Sequence, residues 1–296
     1  MTDAANEQVC RHDLIQKTGW WQALNPAIYL VSVLPLFGVI LLADTSFWLH
    51  GVVLATAGVI LLQHAINLFN DISDWQLGAD VNKRDSWVRV FQGDTRPVLQ
   101  QAVISAIIGI TLGVTVLVVS GKYWLLLVAS PMVILGYLYN AGSQPLSYTS
   151  LGEWVTGLCY GPGVFGCLYL LAVDELTPRL LLGMITFACM AMALLLSHQP
   201  PQIDTDRAAG KQSFAVRYGE TTTIWTARYL LLTAFMAFVG ALWLSGNWLV
   251  TLVFILLAIA AAVFSFATVP KPKTLLLSSS SIFIGTLLAK IVTVAS

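Results

Sequence analysis

His64, Asn67, Asp71 and Asp74 follow one another at intervals of three, four and three residues. On a helix that spacing sets all four along one side, with Ile66, Phe69 and Ile72 opposite. Carboxylates one turn apart repel each other. At the centre of a bilayer each costs about 2.5–3.5 kcal/mol on insertion scales, so the pattern calls for a cation between them. Mg²⁺ suits such a place: it is hard, takes oxygen ligands, and works through one or two carboxylates together with substrate phosphates. Gly78 then breaks the helix and lets Asp80 fold back toward the others. Asp71, Asp74 and Asp80 are therefore candidate metal ligands, with Asn67 and Asn70 in support.

A second cluster follows later in the chain, His198-Gln199-Pro200-Pro201-Gln202-Ile203-Asp204-Thr205-Asp206-Arg207-Ala-Ala-Gly210-Lys211. The proline pair stops or kinks a helix, because proline removes a donor and clashes with the preceding turn. Asp204 and Asp206 come next, then Arg207 and Lys211. Carboxylates followed by cations suit a metal-bridged diphosphate, with the acids on Mg²⁺ and the cations on phosphate oxygens. Lys83, Arg84 and Arg89, in the stretch after the first cluster, are further candidates for the phosphates. Taken alone, a solvated acidic helix end or an ordinary charged loop would account for either cluster. Two clusters at matching places in the chain argue against that.

The elements that hold these residues are apolar helices. The chain has 296 residues, 57% hydrophobic and only 10% charged, with a mean hydropathy of +0.78. A soluble domain carries about 25% charged residues, so this is a polytopic membrane protein, all-α. A spanning helix needs about 20 apolar residues. Nine segments qualify: 26–43, 48–68, 97–120, 122–140, 153–172, 178–199, 223–245, 247–268 and 274–295. Most connections are short. Two are long and polar, 69–96 and 200–222, and together they hold Asp71, Asp74, Asp80, Asp85, Asp94, Asp204 and Asp206. Polar loops after helices two and six suggest a duplicated four-helix half with a ninth helix added. The whole of 1–296 reads as one membrane-embedded domain, with 1–25 a polar N-terminal segment of mixed charge and no signal-peptide pattern.

Lys and Arg set the orientation. With the N-terminus inside, all but Lys122, Arg179 and Lys290 of the 15 cations fall on the inner side. Both acidic loops then face the cytoplasm, which in a bacterium makes this an inner-membrane protein. Trp20 and Trp21 read as an interfacial anchor. The net charge of zero gives no footprint for nucleic acid. The four cysteines form no CxxC, so neither a zinc site nor a disulfide framework is expected.

The segments Asn67-Leu-Phe-Asn70-Asp71-Ile-Ser-Asp74-Trp-Gln-Leu-Gly78-Ala-Asp80 and Asp206-Arg207-Ala-Ala-Gly210-Lys211-Gln-Ser-Phe-Ala-Val-Arg217-Tyr-Gly219 resemble the paired motifs of the UbiA superfamily of intramembrane prenyltransferases. The Gly-x-Asp that closes the first motif is most like the menaquinone-pathway branch, which prenylates 1,4-dihydroxy-2-naphthoate. Trp21-Gln-Ala-Leu-Asn-Pro26 and Pro145-Leu-Ser-Tyr148-Thr-Ser-Leu-Gly152-Glu153 are further echoes, and the resemblance covers about residues 20 to 290. It implies nine helices around a central cavity that opens sideways to lipid. It also implies an isoprenoid diphosphate and an aromatic small-molecule acceptor as substrates, with Mg²⁺ as cofactor. Asp71, Asp74, Asp204 and Asp206 become the expected ligands for ionising the allylic diphosphate. Phe69, Tyr139, Tyr148, Tyr160 and Tyr169 are available to face the resulting cation, Tyr148 also serving as a substrate-binding residue. His198, Glu153 and His64 are candidates to take or bind an acceptor proton.

The sequence departs from that branch in places. Gln202 stands where the second motif usually has Asp, and Asp204 is expected to supply the missing charge. His198-Gln199 replaces an Asn pair, Asn25-Pro26 an Arg-Pro pair, and Ser143-Gln144 a basic residue. Two other functions compete. An intramembrane terpene cyclase would ionise the same diphosphate without an aromatic acceptor. A secondary transporter would also place carboxylates in the membrane, although there they belong at mid-helix.

Overall fold

The computed structural model describes residues 18–43, 47–79, 85–140, 145–269 and 271–295, and within them it is helical with no strand. The expectations for Asp80, Lys83 and Arg84, and for Ser143 and Gln144, lie outside the described residues. A short helix α1 (Trp20–Leu24) and a 3₁₀ turn lead into α2 (Leu30–Leu42). Then follow α3 (Leu49–Leu77), the four-residue α4 (Trp87–Val90) and α5 (Arg96–Ser120). Next come α6 (Leu126–Leu138), and α7 (Gly152–Leu158) joined to α8 (Cys167–Val173) by a π-helical turn over Cys159–Gly166. The remainder is α9 (Pro178–His198), α10 (Ile203–Ala208), α11 (Phe214–Trp243), α12 (Trp248–Ala267) and α13 (Pro272–Ala295).

Eight helical stretches are long and apolar enough to cross a membrane, and Tyr123–Leu138 is a shorter ninth. All nine expected segments are therefore helical. Two boundaries differ. The second helix runs on to Leu77 before Gly78, at φ 81°, ends it. With 29 residues it is about 43 Å long at about 1.5 Å per residue, well beyond the hydrocarbon core of about 30 Å. Its last turns, which carry Asp71 and Asp74, are therefore more than one crossing of that core needs. The seventh helix starts at Phe214 rather than 223, with a break at Gly219 (φ 80°, ψ 166°).

The closest helix pairings are α3 with α5 and α9 with α11. In the first, small residues let the backbones meet. A Cβ on Gly109 would lie 2.8 Å from the Gly58 carbonyl oxygen, so both positions need glycine, as at small-residue crossings in membranes generally. An aromatic cluster of Phe165, Phe187, Phe238, Phe254 and Phe283, all fully buried or nearly so, locks the π-helical turn before α8 to α9, α11, α12 and α13. Its ring centroids lie as close as 4.8 Å. Outside, Leu127, Ile107 and Ile259 are exposed, as lipid-facing side chains are.

Candidate active site

A cavity of about 360 Å³ opens among α3, α6, the α7 segment and α9. Its wall changes character along each helix. On α9, Ala191, Leu194 and Leu195 give way to His198 and Gln199; on α3, Ile66 gives way to Asn67, Asn70 and Asp74. One end is therefore apolar, also lined by Ile28, Val31, Val155 and Tyr160, and the other is crowded with carboxylates, amides and Lys211.

The polar end joins the two motifs. Asp74 and Asp206 are both buried, and the Lys211 ammonium sits 3.7 Å from the Asp74 carboxylate and 4.0 Å from that of Asp206. The local fold explains the second contact. Gly210 takes φ 77° after α10, and the Lys211 N–H returns to the Asp206 carbonyl at 2.8 Å. That is the helix-ending turn in which glycine occupies the left-handed position, and it lays Lys211 back across Asp206. The Tyr148 hydroxyl donates to Asp74 at 2.8 Å, and its ring lies 5.1 Å below the Lys211 ammonium. The Gln212 N–H donates to the Tyr148 carbonyl, so the two loops are stitched together. Burial pushes the Asp206 carboxyl above its usual range, against the pull of Lys211.

The amides form a second tier. The Asn70 side chain donates to Asn140 at 3.0 Å, and Asn140 donates to the Ile66 carbonyl at 2.8 Å. The Asn25 amide donates to Asp85 at 3.3 Å. All four of these side-chain-bearing residues, Asn25, Asn70, Asp85 and Asn140, line the cavity.

Several expected residues lie elsewhere. Asp71 is buried but turned aside, its Oδ2 accepting the Trp87 N–H at 2.7 Å. Three residues at about 100° each leave it about 60° round the helix from Asp74, enough to take it off the cavity wall. The Asp204 side chain is 99% exposed and pairs with Arg207 at 3.7 Å; both face away from the cavity. The expected compensation for Gln202 by Asp204 is thus not what the structure places there. Gln202 itself is at the cavity mouth. Arg89 packs over the Trp75 ring, 6.0 Å from its centroid. Of the aromatic candidates, Tyr139 and Tyr160 line the cavity. Tyr169 is in the core, bonded to Thr177, and Phe69 stands edge-on to Tyr137.

Two proton-acceptor candidates are engaged in structure. Glu153, buried, accepts from Gln199 at 3.0 Å, from the Phe214 N–H at 2.8 Å and from Arg217 at 3.2 Å. His64 bonds Tyr29 at 2.6 Å and Gln101 at 3.1 Å. His198 alone of the three lines the cavity. Asn140, also on the wall, belongs to no motif in the sequence, and Ser147 and Ser213, though inside the quoted segments, are not singled out there as site residues. Each is polar in an ordinary loop or helix end until the fold closes around it.

Among the described residues no group of three or more His, Cys, Asp and Glu side chains is gathered for a metal. The residues present nevertheless fit Mg²⁺, which keeps several waters and binds through one or two carboxylates with substrate phosphates rather than through an all-protein cage. Asp74 and Asp206 already share one cation, the Lys211 ammonium.

Fold and site together define a polytopic membrane enzyme with a polar-mouthed cavity between its helices. Residues 32–287 match the UbiA prenyltransferase family; the chain belongs to that family and is an integral membrane prenyltransferase. A 1,4-dihydroxy-2-naphthoate octaprenyltransferase of Bacillus subtilis is 28% identical over 234 residues, covering 76% of this chain and 72% of the relative. The Escherichia coli protein of the same name is 30% identical over 219 residues, 68% of each chain. A 2-carboxy-1,4-naphthoquinone phytyltransferase of Arabidopsis thaliana is 30% identical over 239 residues, covering 76% of this chain and 60% of the relative. Among solved structures, a UbiA homolog from Archaeoglobus fulgidus bound to DMAPP and Mg²⁺ superposes with a TM-score of 0.67 at 13% identity, covering 93% of this chain and 98% of the other.

Proposed function

We propose that this enzyme transfers a prenyl chain from an isoprenoid diphosphate to a dihydroxynaphthoate-type aromatic acceptor, with Mg²⁺ as cofactor. The observation that carries the reading is the pair Asp74 and Asp206, held across one cation at the polar end of a cavity whose other end is apolar. The names of the relatives support the acceptor class, and the ligands of the Archaeoglobus homolog support the donor and metal.

Asp74 and Asp206 would hold Mg²⁺, with the amide oxygens of Asn67 and Asn70 nearby on the same wall. When bound, the metal supplies Lewis-acid neutralisation of the diphosphate leaving group. The Tyr148 hydroxyl fixes the direction of the Asp74 carboxylate. Lys211 adds positive charge for phosphate oxygens at the same end. Ile28, Leu194 and Leu195 keep water from the apolar end, and the rings of Tyr139 and Tyr160 offer π faces to an allylic carbon as its C–O bond breaks. The electron-rich acceptor ring then forms the new C–C bond, diphosphate departs with the C–O bonding pair, and the attacked ring carbon gives up the proton or carboxyl group it bore, restoring aromaticity. To His198, which lines the wall, falls the role of taking a proton from an acceptor hydroxyl, which would raise the ring's electron density.

The test is to incubate membranes with labelled prenyl diphosphates and a panel of quinone-precursor acids, with and without EDTA, and to identify lipid products by mass spectrometry. A prenylated naphthoate-derived product that disappears with EDTA is expected. A cyclised hydrocarbon in place of the adduct, or full turnover in EDTA, would overturn the reading.

A further inference from the structure

Asp71 has a different task from Asp74. The wall takes Gln63, Asn67, Asn70 and Asp74 from α3, whereas Asp71 and His64, seven residues apart, fall on the neighbouring flank of the same helix. That flank faces α4. The Asp71 carboxylate, in a residue only 5% exposed, accepts the N–H of Trp87 at 2.7 Å, and that N–H opens α4. The Trp87 ring is edge-on to His64 at 5.7 Å and to Trp20 of α1 at 5.3 Å. Trp20 also meets Phe91, just past α4, at 5.6 Å. α1 ends at Asn25, which bonds Asp85, two residues before Trp87. α1 and α4 thus form one cap, and the Asn25–Asp85 pair is the part of it that lines the cavity.

We propose that Asp71 is a positioning residue: through the Trp87 N–H it fastens the α1–α4 cap to α3 and so sets the Asn25–Asp85 pair on the cavity wall. The bond needs an acceptor oxygen at residue 71 and not a metal-binding charge. Asn retains such an oxygen and Ala does not, so the two substitutions separate a tether from a ligand. The inference rests on prenyl transfer at this cavity only for its kinetic readout. Its first readout is the cap itself.

The experiment uses the full chain in detergent as wild type, Asp71→Ala, Asp71→Asn and Asp74→Asn. Hydrogen–deuterium exchange is followed over residues 85–91, alongside a Mg²⁺ titration of prenyl-transfer rate and KM for both substrates. A hydrogen bond to a charged buried acceptor is worth about a ten- to hundredfold factor in an equilibrium, so Asp71→Ala should raise exchange over α4 by about tenfold or more. It should also raise KM more than it lowers kcat. Asp71→Asn should stay within about threefold of wild type in exchange and Mg²⁺ dependence, a neutral acceptor giving a weaker bond. Asp74→Asn should lose its response to Mg²⁺ while α4 exchanges as in wild type. An Asp71→Asn protein that loses its Mg²⁺ response as Asp74→Asn does, with α4 unchanged, would overturn the proposal even if Asp71→Ala failed to fold. So would unchanged exchange in a folded Asp71→Ala. If the wild type makes no prenylated product, the functional reading fails while the exchange comparison still decides the tether.

Discussion

Gln202 is the position where one side chain most sharply alters the expected electrostatics. It lies at the mouth of the cavity, near Asp206, while Asp204 points into solvent and pairs with Arg207. A short helix puts residues two apart about 200° from one another, so Asp204 has no route to the site that Asp206 and Gln202 share. On the cavity wall the second motif therefore presents one carboxylate, Asp206. Gln202→Asp should tighten Mg²⁺ and raise the initial rate at low Mg²⁺. Asp204→Asn should change the rate by less than about threefold, the scale of an exposed ion pair. Asp206→Asn should cost about a hundredfold or more at low Mg²⁺, as loss of an electrostatic stabiliser does. A Mg²⁺ titration of rate for the three variants checks this; an Asp204→Asn as damaging as Asp206→Asn would restore compensation by Asp204.

At the scale of elements, Glu153 is the brace of the second motif. One carboxylate near the start of α7 ties the Gln199 amide at the end of α9, the first N–H of α11 and the Arg217 guanidinium. Gln199 in turn accepts the Ala215 N–H at 3.1 Å. The loop carrying Asp206 and Lys211 is thus clamped at both ends by buried polar bonds. Glu153→Ala leaves a largely buried Arg217 without its counter-charge and should destabilise by about 3–5 kcal/mol, read as a lower thermal midpoint in detergent. Glu153→Gln, which keeps one acceptor, should fall between. An unchanged midpoint for the alanine variant would remove the brace.

For the whole molecule, the three cations assigned to the outer side have an explanation in the fold. Lys290 donates to the Ile40, Leu41 and Ala43 carbonyls, and Arg179 to that of Leu42, all at the end of α2. Lys122 donates to the Leu170 and Leu171 carbonyls at the end of α8 and pairs with Asp174 at 3.4 Å. Each satisfies carbonyls that a helix end leaves open, with the charge favoured by the helix dipole. Such cations are spent on structure, so they do not oppose the orientation in which the remaining Lys and Arg face the cytoplasm. We predict that a reporter fused after Gly93 reads cytoplasmic and one fused after Ser296 external. A cytoplasmic C-terminus would refute the orientation or the count of nine spans.

Much of this was written in the chain. Apolar runs of spanning length forced membrane helices, because a backbone in lipid must satisfy its own hydrogen bonds, and the paired acidic motifs marked the polar end of the cavity. Asp74, Asp206 and Lys211 could be named from type and spacing. Helical spacing could not separate Asp71 from Asp74, since a 60° difference becomes decisive only when a neighbour, here α4, takes one flank and the cavity the other. Nor could it tell Asp204 from Asp206, because which side of a six-residue helix faces inward depends on the Glu153 and Gln199 bonds that seat it. The Asn70–Asn140 and Asn25–Asp85 pairs join residues 70 and 60 positions apart. Contacts of that kind exist only after packing, so tertiary structure alone decided which polar side chains became the wall of the site.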